Sequence, residues 1–243
     1  MIISILLIVF LSGCDKNSQT NNVRRQSFNV TNVYPICEAE ETMDYQVLAA
    51  FSIPIKDEDA IKIFDDAVIK KYEVTAEPVD ENVHRFTLRY IPRKAADYDI
   101  DVTLNGKNIG ADSKANIKLN VYAKDKFAPI SLDVEKSSGQ ATIFFSKPLK
   151  QGQNFNGLIT FSEKKLAGKY DIKDNRIILY FDKSSLNSYQ LENIVMTVSG
   201  IRSASDDIMQ EDAEFTFSLN NYEPKVRWTN DGVILPDIKG TTV

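Results

Sequence analysis

The chain has 243 residues, a formal net charge of −5, and 43% hydrophobic against 26% charged residues. That apolar fraction excludes a disordered chain, and interspersed charges of net acidic sign exclude nucleic acid as the main partner, since phosphate binding needs a concentrated basic surface. With two cysteines, Cys14 and Cys37, and one histidine, His84, a zinc site of His/Cys ligands is excluded too, as is any Cys–His pair except Cys37 with His84. The length suits one large domain or two of ordinary size.

Met1 to Leu11 is almost wholly apolar. It is too short to span a bilayer, which takes about 20 such residues, but has the length of a signal-peptide core. Leu11-Ser12-Gly13-Cys14 follows at once and is similar to the bacterial lipobox, which makes Cys14 the expected lipidated N-terminus after removal of residues 1–13. Acyl chains contribute about 0.8 kcal/mol per buried CH₂, so the expected partner here is a membrane, reached through a lipid anchor. Asp15 to Ser27 is rich in Asn, Gln and Ser and reads as a polar tether, placed within residues 14–33. Cys37 reads as a buried free thiol, with an intermolecular disulfide as the alternative.

One string occurs twice. Phe51-Ser52-Ile53-Pro54-Ile55-Lys56 returns as Phe145-Ser146-Lys147-Pro148-Leu149-Lys150, each after an apolar run. Further matches keep the same order: Ala60–Phe64 with Leu158–Phe161, Lys71–Val74 with Lys169–Ile172, Arg85–Leu88 with Arg176–Leu179, and Tyr98 with Tyr189. This pattern predicts a tandem repeat. Within each copy the period is two. Tyr98, Ile100, Val102 and Leu104 alternate with polar residues, as do Ile117, Leu119 and Val121, and later Phe215, Phe217 and Leu219. Short alternating strands between turn signals predict an all-β chain of two tandem immunoglobulin-like β-sandwich domains, at 34–124 and 125–222. Asp57 to Lys71 carries helical spacing at Ile61, Phe64 and Val68, yet its match to Leu158–Phe161 favours a strand. The junction Lys124–Pro129 is short, so restricted motion is expected there.

Candidate chemistry is sparse. Asp206, Asp207, Glu211 and Asp212 could offer oxygens to calcium, but without EF-hand spacing they read as a solvated loop, as do Asp57-Glu58-Asp59 and Asp65-Asp66. His84, beside Arg85, reads as a surface or strand-end residue. Tyr45, Tyr72, Tyr90, Tyr98, Tyr170, Tyr180, Tyr189 and Trp228 could form a sugar-binding platform, although most sit in apolar alternations that favour core packing. No catalytic residue, cofactor or metal is expected, and no enzyme.

Ile143-Phe144-Phe145-Ser146-Lys147-Pro148-Leu149, then Gly157–Phe161, Tyr189 and Val195-Met196-Thr197-Val198, resembles the N-terminal immunoglobulin-like domains of bacterial α2-macroglobulins. Glu223–Trp228 followed by Gly232–Pro236 resembles the entry into that family's first macroglobulin domain, which 223–243 would begin unless it is a C-terminal tail. Members of the family trap peptidases through a bait region and often a thioester. Neither Cys14 nor Cys37 opens the Cys-x-x-Gln that a thioester needs. The resemblance therefore implies a non-catalytic, lipid-anchored arm in the bacterial cell envelope, facing the periplasm, with envelope proteins including peptidases as partners. It also implies either a fragment of a longer protein or a truncated member. The alternative is a glycan-binding or adhesive cell-envelope lipoprotein of tandem immunoglobulin-like modules.

Overall fold

The computed structural model describes residues 26–162, 166, 168–182 and 193–219, and the backbone of 225–228 and 234–237. Cys14 and the apolar leader lie outside these residues, as do Tyr189 and the side chain of Trp228. The chain is all-β, and every pairing between strands of the described residues is antiparallel. Among the described residues no helix is long and apolar enough to cross a membrane.

β1 (Phe28–Ile36), β2 (Thr42–Phe51), β3 (Thr75–Asp80) and β4 (Val83–Pro92) form a four-stranded sheet in the order β1-β2-β4-β3. Its core face is set by alternation: Met43, Tyr45, Val47, Ala49 and Phe51 of β2 are buried, and the residues between them are not. β5 (Tyr98–Asn105) and β6 (Lys114–Val121) pair as a hairpin, and Phe64 adds one bridge to Leu104. Side chains from both sheets meet in one buried cluster, including Phe64, Phe86, Leu88, Leu104 and Leu119.

The same plan follows again. β7 (Pro129–Glu135) and β8 (Gln140–Phe145) are followed by the short β9 (Ile159–Phe161), then β10 (Gly168–Lys173) and β11 (Arg176–Phe181). The second four-stranded sheet has the order β7-β8-β11-β10, the order of the first sheet strand for strand. β12 (Ile194–Val198) pairs with β9 on one side and with β13 (Ala213–Phe217) on the other, so β9 stands where Phe64 bridges Leu104 in the first copy. A separate cluster, with Ile143, Phe145, Ile177, Leu179, Met196 and Phe217, forms the second core. β14 (Lys225–Trp228) and β15 (Ile234–Asp237) form a further hairpin.

Several expectations need correction. β1 begins at Phe28, inside the stretch read as a tether to residue 33, because Phe28, Val30 and Val33 pack on the first core. Asp57 to Lys71 is helical rather than extended: α1 (Asp57–Ala60), a 3₁₀ turn (Ile61–Ile63) and α2 (Asp66–Tyr72). Asp57, Glu58 and Asp59 in the first turn of α1 favour its N-terminus, Lys70 and Lys71 favour the C-terminus of α2, and Glu73 at φ 45° ends it. Tyr72 thus ends a helix while Tyr170 lies in a strand, so that sequence match is not structural. The match of Arg85 to Arg176 is displaced as well. Arg176 pairs with Phe144, and its counterpart is Val83 opposite Ala50. A slip of two residues returns every side chain to its own face, so alternation cannot detect it.

The junction between the copies is held from both sides. Arg93 is buried and donates from Nε to Tyr122 O at 2.9 Å and from Nη2 to Ala123 O, while Lys126 Nζ lies 2.6 Å from Asp97 Oδ2. Tyr34 of β1 stacks on Phe144 of β8, ring centroids 5.3 Å apart, and its hydroxyl donates to Asp133 Oδ2 at 3.1 Å. Asn175, fully buried, donates to Pro35 O across the same seam at 3.3 Å.

Candidate functional site

The repeated string has one job in both copies. Phe51 N–H donates to Asn82 O at 2.7 Å, and Phe145 N–H to Asn175 O at 2.8 Å, each reaching the turn between the last two strands of its sheet. The serine that follows closes a reciprocal pair. Ser52 N–H donates to Ser27 O and its Oγ accepts from Ser27 N–H, both at 2.9 Å. Ser146 N–H donates to Ala128 O at 2.9 Å and its Oγ accepts from Ala128 N–H at 3.0 Å. The Phe-Ser dipeptide therefore staples the start of the first strand to the end of the second. Pro54 and Pro148 follow where the ladder has ended and its missing N–H is not needed.

After its proline, each copy sends the chain over the outer strand of the four-stranded sheet and leaves a groove there. The first groove, about 540 Å³, lies between Ile55–Asp57 and the end of β3, with Val79 47% exposed on its rim. At its base His84 Nε2 donates to Asp57 Oδ1 at 2.9 Å. His84 is 2% exposed and packs edge-on against Phe51 with centroids 5.3 Å apart, so the reading of a surface histidine is overturned, and Asp57 is its partner rather than a free acidic side chain. The strand register accounts for this burial, which the sequence match of Arg85 to Arg176 hides by its slip of two residues. His84 pairs with Ala49 as Ile177 pairs with Ile143, so the second copy puts isoleucine in this apolar place. This imidazole, 2% exposed and with Nδ1 buried and without a hydrogen-bond partner, ties the helical segment to β4 through Asp57.

The second groove, about 350 Å³, lies between Gln151–Asn156 and Tyr170–Ile172 of β10. Phe155 and Tyr170 meet at 5.3 Å, Phe155 buried and Tyr170 half-buried, and burial pushes the Tyr170 phenol up from its ordinary range. Gln153 fixes the loop: it donates to Lys150 O at 2.8 Å and Arg202 O at 2.9 Å, and accepts from Arg202 N–H at 2.8 Å.

The acidic loop is only partly what its composition suggests. Lys147 of the repeated string is buried, and its Nζ lies 2.7 Å from Asp207 Oδ2, while Lys150 Nζ lies 2.5 Å from Asp206 Oδ1. The hydrogen bonds from these lysines hold both carboxyls below the usual carboxylate range. Glu211 and Asp212 are exposed. Among the described residues no group of three or more His, Cys, Asp or Glu side chains could hold a metal ion. Cys37 is a buried free thiol whose pKa burial pushes up to about 11, although Arg93 Nη1, 3.7 Å from Sγ, pulls the other way. Its sulfur instead faces Ala39 O at 3.1 Å and Thr42 O at 3.7 Å. Of the tyrosines, Tyr45 and Tyr72 are buried, Tyr98 and Tyr170 half-buried, and Tyr90 and Tyr180 exposed at 57% and 43%. The exposed pair stands on separate sheets, in β4 and β11, rather than on one platform.

No protein-family model matches the chain, and neither does any curated protein.

Proposed function

We propose that the chain is a non-catalytic arm of the bacterial cell envelope. In this reading two immunoglobulin-like β-sandwich modules, tethered to a membrane through a lipid on Cys14, hold a further domain or a partner at a set distance and orientation. The observation that carries it is the seam between the copies. Tyr34, Phe144, Asp133, Asn175 and Pro35 join the two four-stranded sheets by a ring stack and hydrogen bonds, which suits a strut better than a hinge. The matching strand order of the two sheets supports the tandem-module reading, and the resemblance to the N-terminal region of bacterial α2-macroglobulins supplies the context of a peptidase trap.

The test is a distance. Nitroxide labels at Glu58 and Glu211, in a chain carrying Cys14→Ser, are expected to give one narrow distribution that broadens when Tyr34 and Asn175 are both replaced by alanine. A broad distribution in the parent chain would remove the strut. Expressed in a bacterium, the unaltered chain is expected in the membrane fraction and the Cys14→Ser variant in the soluble fraction. The purified chain should not shield large substrates from a peptidase while sparing small ones.

A further inference from the structure

The two grooves occupy one place in the repeat but have diverged in chemistry. The first is bordered by Lys56, Asp57, Asp80 and Glu81. The second has no lysine or arginine in its lining and one carboxylate (Asp171); the rest is four amide side chains, Gly152, Ile172 and an aromatic floor of Phe155 and Tyr170. Strand pairing shows where the change lies. Tyr170 sits opposite Leu179 as Ala76 sits opposite Phe86, so the second copy places a phenol ring where the first has a methyl group.

The parts of this groove divide into those that build it and those left free. Gln153 is used up fastening the loop to Arg202 and Lys150. Asn154 Oδ1 accepts from Asn156 N–H at 3.0 Å, which sets the turn and leaves Asn154 Nδ2 unused. Gly152, at φ +70° with open space around it, provides the left-handed bend. Gln151 and Asn156 are exposed, and neither of their side-chain amides has a hydrogen bond among the described residues, nor has the Tyr170 hydroxyl. A preset loop thus presents amides, each both donor and acceptor, beside a partly open aromatic ring.

That combination selects a ligand class. Without a cation in the lining, a phosphate or carboxylate ligand would be left uncompensated. With several unpaired amides, a purely apolar ligand would leave them desolvated. A sugar matches both features: its hydroxyls give and accept hydrogen bonds, and its C–H face lies on an aromatic ring. The volume of about 350 Å³ lies at the lower end of small-molecule sites, which suits a short ligand. We propose that the groove between Gln151–Asn156 and β10 is a binding site for a short neutral glycan, with Tyr170 as the stacking surface and Gln151, Asn154 and Asn156 as hydroxyl partners. This stands beside the strut reading and does not need it.

The experiment uses the full chain carrying Cys14→Ser and a panel of neutral gluco-, manno-, galacto- and xylo-oligosaccharides, read by NMR shifts of the side-chain amides and by titration calorimetry. At least one sugar is expected to bind saturably and to shift the amides of Gln151, Asn154 and Asn156. Tyr170→Ala is expected to weaken binding about tenfold or more. Because that variant also disturbs the contact with Phe155, Gln151→Ala and Asn156→Ala, both on the surface, serve as the second arm. Each is expected to weaken binding about threefold or more with no change in melting temperature. The proposal is overturned if no panel member binds at about 10 mM, a Kd weaker than any useful site. It is overturned equally if the surface variants bind as tightly as the parent, if only charged glycans bind, or if an extended peptide pairing along β10 displaces every sugar.

Discussion

Ser52 and Ser146 offer a controlled comparison, since each repeats the same reciprocal hydrogen-bond pair with the residue before its first strand. They differ in surroundings. Ser146 is fully buried, and its hydroxyl also donates to Lys126 O at 2.7 Å, whereas Ser52 is exposed and donates to the Gln26 side chain at 3.0 Å. Ser146→Ala therefore strands two part-buried backbone groups, the Ala128 N–H and the Lys126 carbonyl, each costing about 1 kcal/mol, for a loss of about 2 kcal/mol. In Ser52→Ala water replaces the hydroxyl, and the loss should stay within about 0.5 kcal/mol. Urea unfolding followed by circular dichroism measures both. With a slope of about 2 kcal/mol/M, Ser146→Ala should lower the midpoint by about 1 M at unchanged slope. Amide exchange should place the loss in the second core. Equal losses, or a larger one at Ser52, would refute the claim that burial rather than the motif itself sets the value of the staple.

Further outcomes follow from the same contacts. Asp207 is held low by Lys147, so its contribution is present above the unfolded carboxylate pKa of about 3.9 and is lost as pH falls through the lower folded value. Acid titration of stability should therefore be steeper in the parent than in Asp207→Asn, and that variant should also be less stable at neutral pH because Lys147 is left buried without its partner. Cys37, pushed up to about 11, should react with a thiol reagent at pH 8 only as fast as the fold opens, and at once in denaturant, in a chain lacking Cys14. His84→Ile, which copies Ile177, should keep stability within about 1 kcal/mol, while His84→Ala should lose about 2–4 kcal/mol through the cavity beside Phe51 and Phe86. A larger loss for isoleucine than for alanine would show that the bond to Asp57, and not packing, holds this site.

What could be read from the sequence was whatever depends on period and punctuation. β5, β6, β11 and β13 alternate cleanly, and the string ending in Pro54 or Pro148 marks a strand end in each sheet. The helices at Asp57–Tyr72 were lost because a true correspondence of position suggested a correspondence of shape: Phe64 does stand where β9 stands, but on one bridge only. Lys147–Asp207 and His84–Asp57 join residues far apart in the chain, and no local pattern announces such pairs. The unused amides of the second groove were hidden for a related reason. Whether a glutamine is free or committed, as Gln151 and Gln153 differ, is decided by partners some fifty residues away, at Arg202.

The staple made by Phe-Ser also bears on assembly. Because Ser27–Phe28 and Ala128–Pro129 present the same backbone groups to the same dipeptide, exchange of β1 and β7 between the two Phe-Ser staples is the pairing error these contacts leave open, and emergence in chain order, which delivers β2 well before β8, works against it. Neighbouring modules of like sequence are prone to such exchange. The copies differ where that error would be sorted: Lys147, beside the second staple, needs Asp207, which only its own module supplies, whereas Ile53 at the first copy's corresponding position needs no ion partner. In the second copy the surroundings of the staple are therefore fixed not by Phe-Ser alone but also by an ion pair to Asp207, 60 residues further along the chain.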